Sequence, residues 1–247
     1  MHHPEPVRGR RSMIARRRRA RGRIRPFRTL AYGCVAVVCL SVGIILPLRW
    51  IDPPTTAFMF RDALQRDEPV RHRWVAWDGI TPELAVAVIA SEDQKFFQHS
   101  GFDWDSIRSA LEERQAGGRL RGASTISQQL AKNLYLWPNQ SWIRKGVEAY
   151  LTVWIEFLLP KHRILEIYLN VAEFGDGVFG AGAAADHLIG TPPGDLTRRD
   201  AALLAAVLPN PKRLSASDPS DYVRRRTGEI MGVVEDLGGI AYLAGSP

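Results

Sequence analysis

Three stretches of this chain hold residues whose types and spacing suit chemistry. The first is Ser91-Glu92-Asp93-Gln94-Lys95-Phe96-Phe97-Gln98-His99-Ser100-Gly101-Phe102-Asp103, which follows the apolar run Ala85–Ala90. A carboxylate placed where a buried helix turns polar has apolar packing on one side and a cleft on the other. Desolvation and the negative end of the helix dipole both disfavour its charge, which moves it towards the range of a general base. As residue types alone, Glu92 and Asp93 are equally an ordinary acidic helix end. The second stretch is Arg144-Lys145-Gly146-Val147-Glu148. Arg144 and Glu148, four residues apart, pair on one helix face; they form either a plain helix-stabilising ion pair or a charged cluster facing a cleft. Between the two lies Gly122-Ala123-Ser124-Thr125-Ile126-Ser127-Gln128-Gln129-Leu130-Ala131-Lys132-Asn133. Small residues and free backbone donors at a helix start make a seat for an anion. Gln128 and Lys132 share a face one turn apart, and Lys132, Arg144 and Lys145 together could neutralise a pyrophosphate. A purely structural helix start is the alternative.

The elements that carry these residues read as helices almost throughout. Thr81-Pro82-Glu83 supplies an N-cap, a first-turn proline and a first-turn acid for a helix running to about Phe97. Trp104–Gln115 is a second helix, closed by Gly117-Gly118. Ser124 or Thr125 caps a third, with Thr125 and Gln128 spaced as a capping box. Ser141–Leu159, stopped by Pro160, is apolar on too many sides for a solvated helix and reads as the central helix of the domain. Lys161–Ala172 follows, then the small-residue run Gly180–Ala185 ahead of a helix near Ala184–Leu188, then Arg198–Leu208 and Tyr222–Leu237. No β-type alternation persists and no repeat is evident.

The net charge of +7 is localised. Eleven of the 33 basic residues and one of the 26 acids lie in residues 1–28, so that tail carries +10 and the rest −3. Basicity is therefore a property of an anchor tail, and a nucleic-acid partner is not expected. Thr29–Leu48 follows as twenty uncharged residues, enough for a helix to cross the hydrocarbon of a bilayer. Arg49-Trp50-Ile51-Asp52-Pro53-Pro54 gives no small-x-small cleavage site, so a signal-anchor is favoured over a cleaved leader. Positive charge stays inside, which predicts a single-pass protein of the cytoplasmic (inner) membrane with its N-terminus in the cytoplasm and its body periplasmic. The expected organisation is a tail 1–28, a span 29–48, a juxtamembrane segment 49–80 and one domain 81–247. The two cysteines, Cys34 and Cys39, both fall in the span, so the body has neither a disulfide framework nor a thiolate metal site.

In their order and spacing, EDQKFFQHSGFD, GASTISQQLAKNLYL, RKGVE and KHRILEIYLNVAEFG closely resemble the glycosyltransferase domain of peptidoglycan polymerases, the transglycosylase domain of penicillin-binding proteins. The likeness covers Thr81–Pro211, and Ala201–Pro211 looks like that family's fifth motif. No Ser-x-x-Lys, Ser-x-Asn or Lys-Thr-Gly set follows Pro211 in the 36 residues that remain, so the resemblance is to the monofunctional members. It implies a mainly α, lysozyme-like two-lobed helical domain preceded by one transmembrane helix, with Phe102–Leu120 and the region of Leu134–Trp142 in the membrane-facing lobe. It also implies transfer of a growing lipid-linked glycan, from the anomeric carbon of its MurNAc, to the GlcNAc 4-hydroxyl of lipid II, with inversion and release of undecaprenyl diphosphate.

By position in those motifs, Glu92 is the catalytic base and Glu148 a second catalytic carboxylate. Lys132, Arg144 and Lys145 stabilise the leaving group, while Asp93, Ser124, Thr125, Gln128, Gln129 and Asn133 position the sugars. Two uses of Glu148 stay open: orienting the donor, or holding a divalent cation, magnesium or manganese, against the pyrophosphate. Eight residues before Glu148, where relatives place an arginine, stands Gln140, which leaves Arg144 and Arg163 to compensate. Divisome or elongation proteins of the cell wall are candidate partners. The rival readings are a lysozyme-like lytic enzyme and a catalytically degenerate membrane scaffold.

Overall fold

The computed structural model describes residues 24–115, 117, 122, 124–139 and 141–245; the arginine tail up to Arg23, Ala123, Gly118 and Gln140 lie outside them. The chain divides into two compact units, one ending at Ile44 and one spanning Ile45–Pro247. In the first, helix α1 (Ile24–Ile45) leaves Leu30, Tyr32, Val35 and Leu40 exposed, the reverse of a packed core helix. The segment Arg28–Arg49, with mean hydropathy 2.3, is long and apolar enough to cross a membrane. A 3-10 turn, Leu46–Arg49, carries on from α1 with Pro47 in its first turn, where a residue without an N–H costs nothing.

The second unit is helical around one hydrophobic core. Its helices are α2 (Ala57–Gln65), α3 (Pro82–Glu92), α4 (Trp104–Gln115), α5 (Ile126–Tyr135), α6 (Trp142–Leu158), α7 (Lys161–Val171), α8 (Gly180–Ala184), α9 (Arg198–Val207) and α10 (Asp221–Asp236). Helix α3 is the central one: every residue from Leu84 to Ala90 is buried, and α9 and α10 pack against it. It starts at the Thr81-Pro82 signal but ends at Glu92, not near Phe97. Asp93 leaves the helix at φ −163°, ψ 73° because its carboxylate is drawn to two distant partners, the Ile126 N–H at 3.0 Å and the His99 ring at 2.9 Å.

Helix α6 is not the central helix that its composition suggests. One face buries Arg144, Glu148, Leu151, Thr152 and Ile155, while Trp142 (90% exposed), Ile143 (77%), Val153 and Phe157 (77%) line the opposite face. The small-residue run Gly180–Ala184 is itself helix α8, continued by a π-helical turn at Ala185–Ile189, instead of a lead-in to a later helix.

Three short strands, β1 (Arg71–His72), β2 (Glu173–Gly175) and β3 (Val178–Phe179), form a sheet in the order β1-β3-β2, with β1 parallel and β2 antiparallel to β3. Gly180 allows this sheet to sit on α7. Its φ is +81°, and a Cβ there would lie 2.4 Å from the Asn170 carbonyl oxygen.

The segment before α3 is fastened to one face of α7. Fully buried Asn170 accepts from the Val75 N–H (2.8 Å) and donates to the Val75 carbonyl (2.9 Å), copying a strand pairing with a side chain. One turn earlier Glu166 accepts from the Trp77 N–H at 3.0 Å, and Arg163 reaches the Leu48 carbonyl and Asp52, both at 2.7 Å.

Candidate active site

Glu92 is the last residue of α3, half-buried, with a cavity of about 250 Å3 in front of it whose walls include Ser91, Gln94, Lys95, Asp103 and Ser124. Its Oε2 accepts from Gln129 Nε2 at 2.7 Å and its Oε1 from the Ser91 hydroxyl at 3.3 Å. Burial pushes the carboxyl above its ordinary range; the Gln129 and Ser91 hydrogen bonds and the charges of Arg226 and Lys132 oppose the shift without cancelling it. The amide of Gln129 cannot rotate freely, because the fully buried Tyr168 hydroxyl donates to its Oε1 at 2.9 Å. Tyr168, Gln129 and Glu92 thus form a chain in which each donor is fixed by the group behind it.

Gln129 also lines a second cavity of about 150 Å3, together with Lys132, Asn133, Phe58 and Glu173. Lys132 has no hydrogen-bond partner among the described residues; its ammonium lies over the Phe58 ring at 5.6 Å. Burial lowers its pKa first, Glu148 and Glu92 raise it, and Arg144 and Lys145 lower it, so α5 and α6 share one electrostatic cluster. Within it the Arg144 guanidinium donates to Glu148 Oε2 at 2.8 Å and the Lys145 ammonium to Glu148 Oε1 at 2.5 Å. Arg144 Nε is buried and unpartnered. Three cations face one carboxylate, which leaves a site biased towards an anion of about two charges.

Both Glu148 oxygens are taken by cations, and no group of three His, Cys, Asp or Glu among the described residues is placed to hold a metal. The donor set does not fit a protein-held divalent cation, and Glu148 reads as the counter-charge that orders Arg144 and Lys145.

The other predicted site residues divide by position. Ser124 and Asn133 stand in the walls of the two cavities. Thr125 and Gln128 form the expected capping box of α5, the Thr125 N–H donating to Gln128 Oε1 at 3.0 Å and the Gln128 N–H to Thr125 Oγ1 at 3.2 Å. Gln128 is therefore turned into the helix start and away from the face of Lys132. Asp93 lines the first cavity, but both its oxygens are occupied. His99 Nδ1 accepts from the Gly101 N–H at 3.1 Å, so it is Nε2 that donates to Asp93. Arg163 cannot stand in for a phosphate-binding arginine: Asp52, Glu166 and the Leu48 carbonyl each hold it at 2.7 Å. Gln140 lies outside the described residues.

Tyr168, Phe58 and Arg226 were not foreseen. Tyr168 belongs to the apolar stripe of α7, and its one signal was a hydroxyl on a face that otherwise carries none.

A family profile described as transglycosylase matches residues 61–235. The chain belongs to the transglycosylase family. Similar proteins called "Biosynthetic peptidoglycan transglycosylase" include one from Rhodospirillum centenum, 48% identical over 206 residues (83% of this chain, 89% of that one). Another, from Stutzerimonas stutzeri, is 50% identical over 212 residues (84% and 88%), and one from Shewanella oneidensis is 48% identical over 221 residues (88% and 95%). In this transglycosylase, then, Glu92 lines one cavity and Lys132 another, and Gln129, which lines the second, donates to Glu92.

Proposed function

We propose that this peptidoglycan glycosyltransferase polymerises glycan strands with Glu92 as the base that deprotonates the acceptor sugar hydroxyl. A sugar hydroxyl is a weak nucleophile, so its proton must leave as the new bond forms. A carboxylate lifted by burial, yet oriented by Gln129, suits that task. The acceptor GlcNAc of lipid II then occupies the cavity in front of Glu92. The donor diphosphate lies at Lys132, Arg144 and Lys145, which stabilise the charge that develops as it departs. Inversion by single displacement needs base and leaving group on opposite faces of the reacting carbon, as in inverting glycosidases with a hydroxyl in place of water. A cavity lined by Glu92 and a separate one lined by Gln129 and Lys132 support this division of labour.

The carrying observation is the contact of a proton-affine carboxylate with the residue that also walls the cation site. A lytic enzyme would have no use for three cations around one carboxylate, and a scaffold would have no use for an oriented, desolvated acid.

The anchor and the body support a membrane-bound polymerase whose arginine-rich end stays in the cytoplasm, with the catalytic body on the periplasmic face. Arg49, at the end of the hydropathic segment, donates to the Leu158 carbonyl at 3.3 Å. The exposed apolar outer face of α6, with Trp142, Ile143 and Phe157, supports a lipid-facing role for that helix. The test is polymerisation of fluorescent lipid II by the purified full-length protein. Glycan ladders are expected from wild type and none from Glu92→Gln; full activity in that variant would refute the base.

A further inference from the structure

We infer that Tyr242, in the tail after the last long helix, is a positioning residue that clamps the loop directly following the base. The inference rests on the reading of Glu92 given above.

The loop Asp93–His99 is held on its inner side by Asp93 and by Phe96, which is fully buried beneath the Lys161 ammonium at 4.5 Å. Its outer side meets the chain's C-terminal tail. There the tail Gly239–Gly245 folds back, turned by Gly238 and Gly239 in the left-handed region at φ 89° and 65°, and packs against α3 and α10. This tail lies beyond the residues that the family profile matches.

Tyr242 joins tail and loop, reaching Gln94, Phe97 and the Gln98 side chain. The Tyr242 hydroxyl donates to the Gln94 carbonyl at 2.8 Å, and its ring meets that of Phe97 at 5.6 Å between centroids. Phe97 in turn meets His162 at 5.9 Å, and His162 meets Trp77 at 5.6 Å. Four rings from four separate segments form one row, and the tail supplies its outer end.

Gln94 is two residues from Glu92, and its side chain donates back to the Ala90 carbonyl at 3.3 Å, inside the helix that carries the base. Fixing the Gln94 carbonyl therefore fixes the last turn of α3 and the direction in which Glu92 points. Small displacements of a reacting group carry a large rate penalty, so the clamp acts on turnover and not on substrate binding.

The test uses the full-length protein in lipid vesicles with lipid II, comparing wild type, Tyr242→Phe, Tyr242→Ala and, as control, Tyr222→Phe on the exposed face of α10. Tyr242→Phe keeps the ring and loses the hydroxyl, which donates to the Gln94 carbonyl and also interacts with the Gln98 side chain. It is expected to lower kcat about three- to tenfold, the scale of one hydrogen bond, with KM and melting temperature unchanged. Tyr242→Ala loses more, and Tyr222→Phe matches wild type.

Hydrogen exchange gives a readout that needs no turnover. In both Tyr242 variants the Phe96 and Gln98 amides, which bond to the Asp93 and Lys95 carbonyls, exchange faster while α5 keeps wild-type protection. Wild-type kcat in Tyr242→Phe, a defect confined to KM, or faster exchange spread over the whole body with a lowered melting temperature would each overturn the inference. A wild-type protein that does not turn over lipid II would refute the polymerase reading instead, and the exchange of Phe96 and Gln98 would still decide the clamp.

Discussion

Replacing Gln129 with leucine is expected to move the acid limb of the pH–rate profile upward by about one pH unit. Glu92 must be ionised to act as a base, so the limb reports its pKa in the enzyme. Burial already raises that pKa, and the Gln129 hydrogen bond, at 2.7 Å, is the largest influence opposing it. A hydrogen bond to a charged group contributes about 1.5–3 kcal/mol. Glu92 is half-buried, so water regains part of this and the lower figure applies. At about 1.4 kcal/mol per pKa unit, the shift is about one unit. The sign follows because the lost bond favoured the ionised form: without it the acid is weaker and activity appears only at higher pH.

The substitution has a side effect that the structure also sizes. The buried Tyr168 hydroxyl loses its acceptor, at a cost of about 1–3 kcal/mol in stability. Pairing Gln129→Leu with Tyr168→Phe removes that unsatisfied group, so the double variant recovers melting temperature while keeping the shifted limb. Initial rates of lipid II polymerisation in buffers of matched ionic strength measure the effect. A limb that stays in place, or moves to lower pH, would refute Glu92 as the titrating base.

Three further outcomes follow from the same geometry. Glu92→Gln is expected to lower polymerisation by at least about a hundredfold. It is also expected to melt higher than wild type at neutral pH. A carboxyl with a raised folded pKa loses stability as pH climbs from its unfolded to its folded value, so calorimetry should show the gap closing in acid. Lys132→Met removes a cation that has no hydrogen-bond partner among the described residues and is expected to reduce kcat about a hundredfold or more, with the melting temperature held or raised because a desolvated charge is gone; single-turnover rates check it. Asp93→Asn turns one acceptor into a donor facing the Ile126 N–H or His99. It is expected to cost about 2 kcal/mol, or about 4–8 °C in a protein of this size, read by thermal melting.

What was legible in the sequence was what is decided locally. The Thr81-Pro82 start of α3 and the Thr125–Gln128 box need only their own neighbours, and each stands where the spacing places it. The end of α3 did not: the partners that pull Asp93 out of the helix include an amide on a different helix, which no window around Asp93 contains. Helix α6 misled for another reason. Apolar side chains look the same whether they face a core or a lipid surface, so Trp142, Ile143 and Phe157 made an outer helix resemble a central one. Strands of two or three residues are too short for alternation to show. Arg163 looked available as a cation because its partner Asp52 lies 111 residues away in sequence.

The site itself was legible as residue types but not as an arrangement, and the arrangement depends on α5. Gln129 and Lys132 are three residues apart and so share a face. One reaches the base at the end of α3, and the other joins the Arg144–Glu148 cluster of α6. The distance between proton removal and leaving-group stabilisation is therefore set by less than one turn of a single helix. That helix is gripped at its first turn by its own capping box, by the Thr125 hydroxyl on the Gly101 carbonyl at 2.7 Å, and by Asp93 on the Ile126 N–H. Asp93 follows Glu92 directly, so the carboxylate that anchors α5 and the one proposed as the base move as a pair. An acid doublet at a helix end is thus two different devices, and which residue does which follows from what each oxygen touches.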